Sequence, residues 1–168
     1  MPTQFTEENL VWEVDFGSKS QYPMPVLLPE YGVALIAGEI GIDDPAWEPY
    51  FDKGGEVVCR SLRDGSVVWR AAVPDYSRPG SFGVCGSPVV QGNRVYYLSA
   101  FHVICVDLLG NTNGNQGMGE EEEWELLTRE HSWAMRDTFD PPKELPEWAA
   151  DVIWAYSFKD PELMVQDA

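Results

Sequence analysis

Oxygen-bearing side chains recur at alternate positions in Asn111-Thr112-Asn113-Gly114-Asn115, and Glu122 stands twelfth in the same stretch. That is the spacing of a calcium loop of about twelve residues, which needs short oxygen ligands at its start and a bidentate carboxylate at its end, because a hard cation is held by oxygens alone. Asn111, Asn113, Asn115 and Glu122 are therefore the metal-ligand candidates. The same residues also suit a plain turn, since the three amides are neutral and Gln116 stands where the loop glycine belongs. A second candidate stretch, Gly41 to Gly54, combines Asp43, Asp44 and Asp52 with Trp47, Tyr50 and Phe51. Carboxylates beside aromatics can grip a sugar or a cation; with Pro45 and Pro49 they also describe a loop packed on itself. His102 and His131 stand apart, with no Ser or Cys at nucleophile spacing, so no catalytic residue is assigned.

The three cysteines, Cys59, Cys85 and Cys105, have no CxxC spacing and sit in apolar runs, which reads as small buried side chains. Against 11 basic residues stand 28 acidic ones, a formal charge of -17. That charge repels phosphate backbones and anionic lipid, so nucleic acid is excluded as a partner and direct membrane insertion is not expected. Much of the acid falls between Gly119 and Asp151, where Glu120 to Glu123 reads as a solvated run opening a short helix through Arg129. No apolar run is long enough for a membrane helix, and Met1 to Asn9 lacks the pattern of a signal peptide.

The elements that carry these residues repeat. Val57-Val58-Cys59-Arg60-Ser61-Leu62 aligns with Val103-Ile104-Cys105-Val106-Asp107-Leu108, 46 positions later. Upstream, Pro25-Val26-Leu27 and Gly32-Val33-Ala34-Leu35-Ile36 align with Pro88-Val89-Val90 and Asn93-Arg94-Val95-Tyr96-Tyr97-Leu98. Downstream, Val67-Val68-Trp69-Arg70 aligns with Val152-Ile153-Trp154-Ala155, and Leu10-Val11-Trp12-Glu13 adds a third Trp-bearing copy. Each piece is short, β-branched or aromatic, and bounded by turn residues, which predicts strands. Predicted strands run 23 to 28, 32 to 38, 55 to 62 and 66 to 73, then 86 to 91, 94 to 100, 102 to 108 and 151 to 158. Strands apolar on both faces require cover on both sides, which stacked sheets supply. The fold expected is all-β: a partial β-propeller of about two four-stranded antiparallel blades, residues 22–73 and 85–158, the second with an acidic insertion at 110–150. Residues 10–16 are expected to be the last strand of a preceding blade.

The run Cys59-Arg60-Ser61-Leu62-Arg63-Asp64-Gly65-Ser66-Val67-Val68-Trp69 is similar to the repeat of pyrroloquinoline quinone (PQQ)-type propellers. In that repeat a small residue, Leu and Asp lead into a Thr-Gly turn and a strand ending in Trp, which docks between blades. Gly65 and Trp69 match, Cys59, Ser61 and Asp64 depart, Asp107 keeps the acidic position, and Asn111 stands at the turn glycine of the second copy. With Val11-Trp12, Gly17-Ser18-Lys19-Ser20, Cys85-Gly86-Ser87-Pro88 and Asp151-Val152-Ile153-Trp154, the chain resembles large exported bacterial proteins of this repeat type. The resemblance implies a fragment of a longer propeller, a periplasmic or otherwise exported location, and structural roles for Trp12, Trp69, Trp154, Gly65 and Asp107. The partners implied are further blades of the same propeller or another copy of the chain. The function implied is a binding or interaction scaffold. The alternative is a piece of a PQQ- and calcium-dependent quinoprotein dehydrogenase whose active-site residues lie in other blades. The adjacent cysteines of such enzymes are absent from this sequence.

Overall fold

The computed structural model describes residues 10–14, 24–40, 54–74, 86–98, 102–129 and 144–157. Eight strands follow in chain order: β1 (Val26–Leu28), β2 (Val33–Ile40), β3 (Gly54–Ser61), β4 (Val67–Pro74), β5 (Val89–Gln91), β6 (Arg94–Leu98), β7 (His102–Asp107) and β8 (Val152–Ser157). They form two four-stranded antiparallel sheets, β1-β2-β3-β4 and β5-β6-β7-β8, each a simple meander. Between β7 and β8 lie a 3-10 turn, Gly110–Asn113, and one helix, α1 (Glu120–Arg129), where the glutamate run predicts it. Strand ends differ from the expected ones by a few residues, as strand termini read from composition do.

The two sheets repeat each other down to register. Cys59 pairs with Trp69 in the first and Cys105 with Trp154 in the second, and in each the ladder slips immediately afterwards, at Cys59/Arg60 and at Cys105/Val106. A bulge conserved in position within both meanders bends the last two strands alike. Leu62 N–H donates to Gly32 O, and Leu108 N–H to Asn93 O, both at 2.8 Å, closing the two repeats in the same way.

Register also fixes which residues share a face, because partners across a ladder point to the same side. In the first sheet one row is Val26, Leu35, Cys59 and Trp69, and the next is Ala37, Val57 and Ala71. Six of the seven belong to the core, and the half-buried Val26 packs against it. The equivalent rows in the second sheet are Val89, Tyr96, Cys105, Trp154 and Leu98, Val103, Tyr156. The core takes instead the opposite face of that sheet, with Val95, Tyr97, Ile104 and Val106. The sheets are stacked in one sense, the Trp face of the first on the other face of the second.

Trp69 seals this stack. Its ring is 1% exposed, and its Nε1–H donates to Leu108 O at 2.9 Å across the sheet interface. Gly110, at φ 58°, lies beneath the ring, where a Cβ would come within 2.8 Å of Cδ1. The glycine that the repeat pattern places at position 111 is thus supplied one residue earlier, and Asn111 is free to join the 3-10 turn. Trp12 makes the same contact on the first sheet: Nε1–H to Leu62 O at 2.9 Å, over Gly65 at φ 73°. Residues 10–14, however, form no strand, for no partner strand lies beside them among the described residues. Trp154, the third copy, is 41% exposed.

Trp69→Ala is expected to cost about 3 to 5 kcal/mol of unfolding free energy, the range for emptying a buried aromatic site. At the half-exposed Trp154 the same change should cost less than about 1 kcal/mol. Urea unfolding of both variants checks the pair; a loss below about 1 kcal/mol at Trp69 would show that its seat does not hold the sheets together.

Candidate functional site

The insertion between β7 and β8 is where chemistry-bearing residues collect. It starts from a buried anchor: the fully buried Asp107 carboxylate accepts from Leu109 N–H at 2.7 Å and Asn93 Nδ2 at 3.1 Å, and pairs with the Arg94 guanidinium. Ser61 does the equivalent work in the first sheet with one weaker bond, Arg63 N–H to Oγ at 3.2 Å. From Asp107 the chain turns through Gly110–Asn113, then runs along both sheets. Met118 N–H donates to Val152 O at 2.8 Å on the second sheet. On the return, Arg70 of β4 donates its N–H to Trp148 O and accepts from Ala150 N–H, both at 2.9 Å. Arg70 also holds Glu56 through two hydrogen bonds of 2.7 and 2.9 Å and lies over the Trp148 ring. Edge strand β4 of one sheet is thereby stitched to the insertion of the other.

The four metal-ligand candidates fall into separate local roles. Asn111 Nδ2 donates to Ala149 O at 3.1 Å, and Asn115 Oδ1 accepts from Gly117 N–H at 3.2 Å. Asn113 closes the 3-10 turn. Glu122 Oε2 accepts from Gly119 N–H at 3.2 Å. That last bond is a capping box, the third helical residue reaching back to the N-cap amide, and it explains why carboxylates start α1. Asn111 and Asn115 meet at the wall of one cavity of about 490 Å³, together with Glu120, Glu123, Glu144 and Glu147. Asn113 and Glu122 lie outside that wall. Among the described residues no three His, Cys, Asp or Glu side chains are gathered to hold a metal.

Glu123 departs from the solvated run expected of it: its side chain is 3% exposed, and Oε1 accepts from Val152 N–H at 2.9 Å. Beside it Asp151 is fully buried, one carboxylate oxygen accepting from Gln116 N–H at 3.0 Å and the other, Oδ1, meeting no partner among the described residues. Burial pushes the Glu123 carboxyl up to about 8, the negative charges of Asp151 and Glu120 adding to it against the pull of the Val152 amide. Sequence offered one weak signal for this residue: three positions after Glu120 it returns to the same side of the helix, but four consecutive glutamates leave any face equally acidic.

The other titratable candidates are quiet. His102 is buried in β7. Burial drives the Cys59 thiol up to about 12, so no thiolate forms near neutral pH, and burial also raises Cys105. Gly41 to Lys53, with its aspartates and aromatics, lies outside the described residues, as do His131 and Cys85. No helix among the described residues is long and apolar enough to cross a membrane. Compared with protein-family models and with curated proteins, the chain matches none.

Glu123 gives a pH test. The folded chain holds this proton up to about pH 8, whereas an unfolded chain releases it near pH 4.5, so between those values the folded state binds more protons and stability falls as pH rises. Glu123→Gln removes the titration while keeping an acceptor for Val152 N–H. Its unfolding free energy should match the parent at pH 4.5 and exceed it by about 1 to 3 kcal/mol at pH 8, the scale of an uncompensated buried polar group. Parallel stability curves from pH 4.5 to 8 would remove Glu123 as the source.

Proposed function

We propose that this chain is a two-blade segment of a β-propeller of the PQQ-like repeat type, and that it serves as a binding or interaction scaffold rather than a catalyst. One observation supports the reading above all: the indole-to-carbonyl hydrogen bond occurs twice, Trp12 on Leu62 and Trp69 on Leu108, both at 2.9 Å and each ring beside a positive-φ glycine. A seat that repeats, between sheets stacked in one sense, describes units arranged about an axis rather than two sheets closed face to face. In a sandwich the two Trp-type faces would meet across one core, and Trp154 would be covered like Trp69.

The scaffold reading follows from what the repeated residues do. Trp69, Gly65, Gly110 and Asp107 build the stack, and no described side chain combines a nucleophile with a base. Further blades, or another copy, are the partners that such a segment requires. Location outside the cytoplasm is part of the same proposal and rests on the repeat type alone. The ligand-facing surface is the acidic cavity of the insertion, whose charge favours cationic or amine-bearing groups over anionic ones.

Adding quinone and calcium while following thermal unfolding tests the non-catalytic part. A ligand bound only by the folded state at about a hundred times its Kd stabilises it by about 2.7 kcal/mol. The scaffold reading expects no shift; a rise in Tm that needs both additions would replace it with a cofactor-binding enzyme segment.

A further inference from the structure

The Trp face of the second sheet is equivalent to the face by which the first sheet grips the second, yet among the described residues no sheet is stacked on it and its outer side chains meet solvent. Val89, Leu98 and Tyr156 are 64, 58 and 64% exposed, and Trp154, 41% exposed, lies beside the Tyr96 ring with centroids 6.1 Å apart. The two filled seats state what this face fits: a Leu carbonyl at the end of a third strand, with a positive-φ glycine two or three residues on. One such acceptor takes its occupant from outside the two sheets. At Leu62 and Gly65 the seat is filled by Trp12, from a segment that forms no strand and whose neighbours Leu10 and Val11 are 52 and 79% exposed. The exposed donor and this acceptor lie on opposite faces of the two-sheet stack.

Charge narrows the choice of occupant. The charged side chains in the described register rows of this face are Arg94 and its row partner Asp107, and they pair with each other. A face without net charge selects no basic or acidic partner, and it is the surface through which two chains of charge -17 approach at least cost.

We propose that a second copy of this chain covers the face: Trp154 of one copy takes the Leu62–Gly65 seat of the next, and Trp12 is the plug that keeps that seat closed in the single chain. The proposal rests on the propeller reading, since it continues the same stack. The contact is head-to-tail, and a head-to-tail contact ends in a ring when the rotation closes. With the two described sheets per chain and about four to eight blades in a closed propeller, the ring holds about two to four copies.

Sedimentation of the full-length parent, Trp12→Ala and Trp154→Ala over a range of concentrations tests it. Emptying the seat raises the fraction of chains competent to accept Trp154, so Trp12→Ala should associate at least about tenfold more tightly than the parent. The product should have about two to four times the mass of the 18.9 kDa chain. Trp154→Ala, altered at a half-exposed position, should stay at 18.9 kDa at every concentration. Association of Trp154→Ala equal to the parent's overturns the proposal, and so does a folded Trp12→Ala that remains monomeric. Should Trp12→Ala fail to fold, the comparison of parent with Trp154→Ala decides: concentration-dependent assembly lost on removing Trp154 supports the proposal, and a monomeric parent at millimolar concentration overturns it. Failure of the stacking itself is read separately, as an unchanged stability of Trp69→Ala.

Discussion

A single buried hydrogen bond, Trp69 Nε1–H to Leu108 O, ties together nearly every other feature of the molecule. For the indole to reach that carbonyl, the turn after β7 must offer a bare backbone, and Gly110 does so with a left-handed conformation that a side chain would both strain and obstruct. The carbonyl must also point outward from its sheet. Asp107 sees to that: its carboxylate holds Leu109 N–H while Arg94 and Asn93 hold the carboxylate, so the turn cannot rotate without exposing a buried charge. The first sheet solves the same problem more weakly. Ser61 offers a hydroxyl where Asp107 offers a carboxylate paired with Arg94, and the seat it supports holds a half-buried Trp12 rather than a buried Trp69.

The stack then explains the insertion. Antiparallel sheets leave unpaired edges, and an open edge invites another strand. Here the chain between β7 and β8 covers part of two edges on one path, adding Met118 beside Val152 on the second sheet and Trp148 to Ala150 beside Arg70 on the first. A strap of this kind has one wet face and one dry face. Most of its acid lies on the wet side, where charge is cheap, but Glu123 and Asp151 fall on the dry side with no basic residue among their hydrogen-bond partners. Proton retention by Glu123 is the consequence: one of two neighbouring buried carboxyls is far less costly as an acid than as an ion.

The two faces of the second sheet show how one composition can serve different ends. Val95, Tyr97, Ile104 and Val106 are buried in the core, whereas Val89, Leu98, Trp154 and Tyr156, no less apolar, meet solvent. Neither hydropathy nor strand propensity separates the sets. Position in the stack does, because the exposed face is the one whose counterpart in the first sheet is already paired.

Strands, their order and their equivalence were legible in the sequence, because alternation, turn residues and a 46-residue displacement are local or periodic properties that survive without contacts. The roles of Trp69, Gly65 and Asp107 were suggested by the resemblance of the repeat rather than by periodicity, and helix α1 followed from four acids at a start that carboxylates stabilise. Tertiary structure alone decided the rest. It moved the turn glycine of the second repeat from position 111 to Gly110, since a glycine's role is set by the ring that packs on it. It separated Asn111, Asn113, Asn115 and Glu122 into different turns and a cap, and it buried Glu123 among glutamates that look alike in one dimension. Burial and hydrogen-bond partnership are properties of what lies across the interface, and of three similar Trp-bearing segments one ring is sealed, one half-buried and one exposed only because of how the sheets are placed against each other.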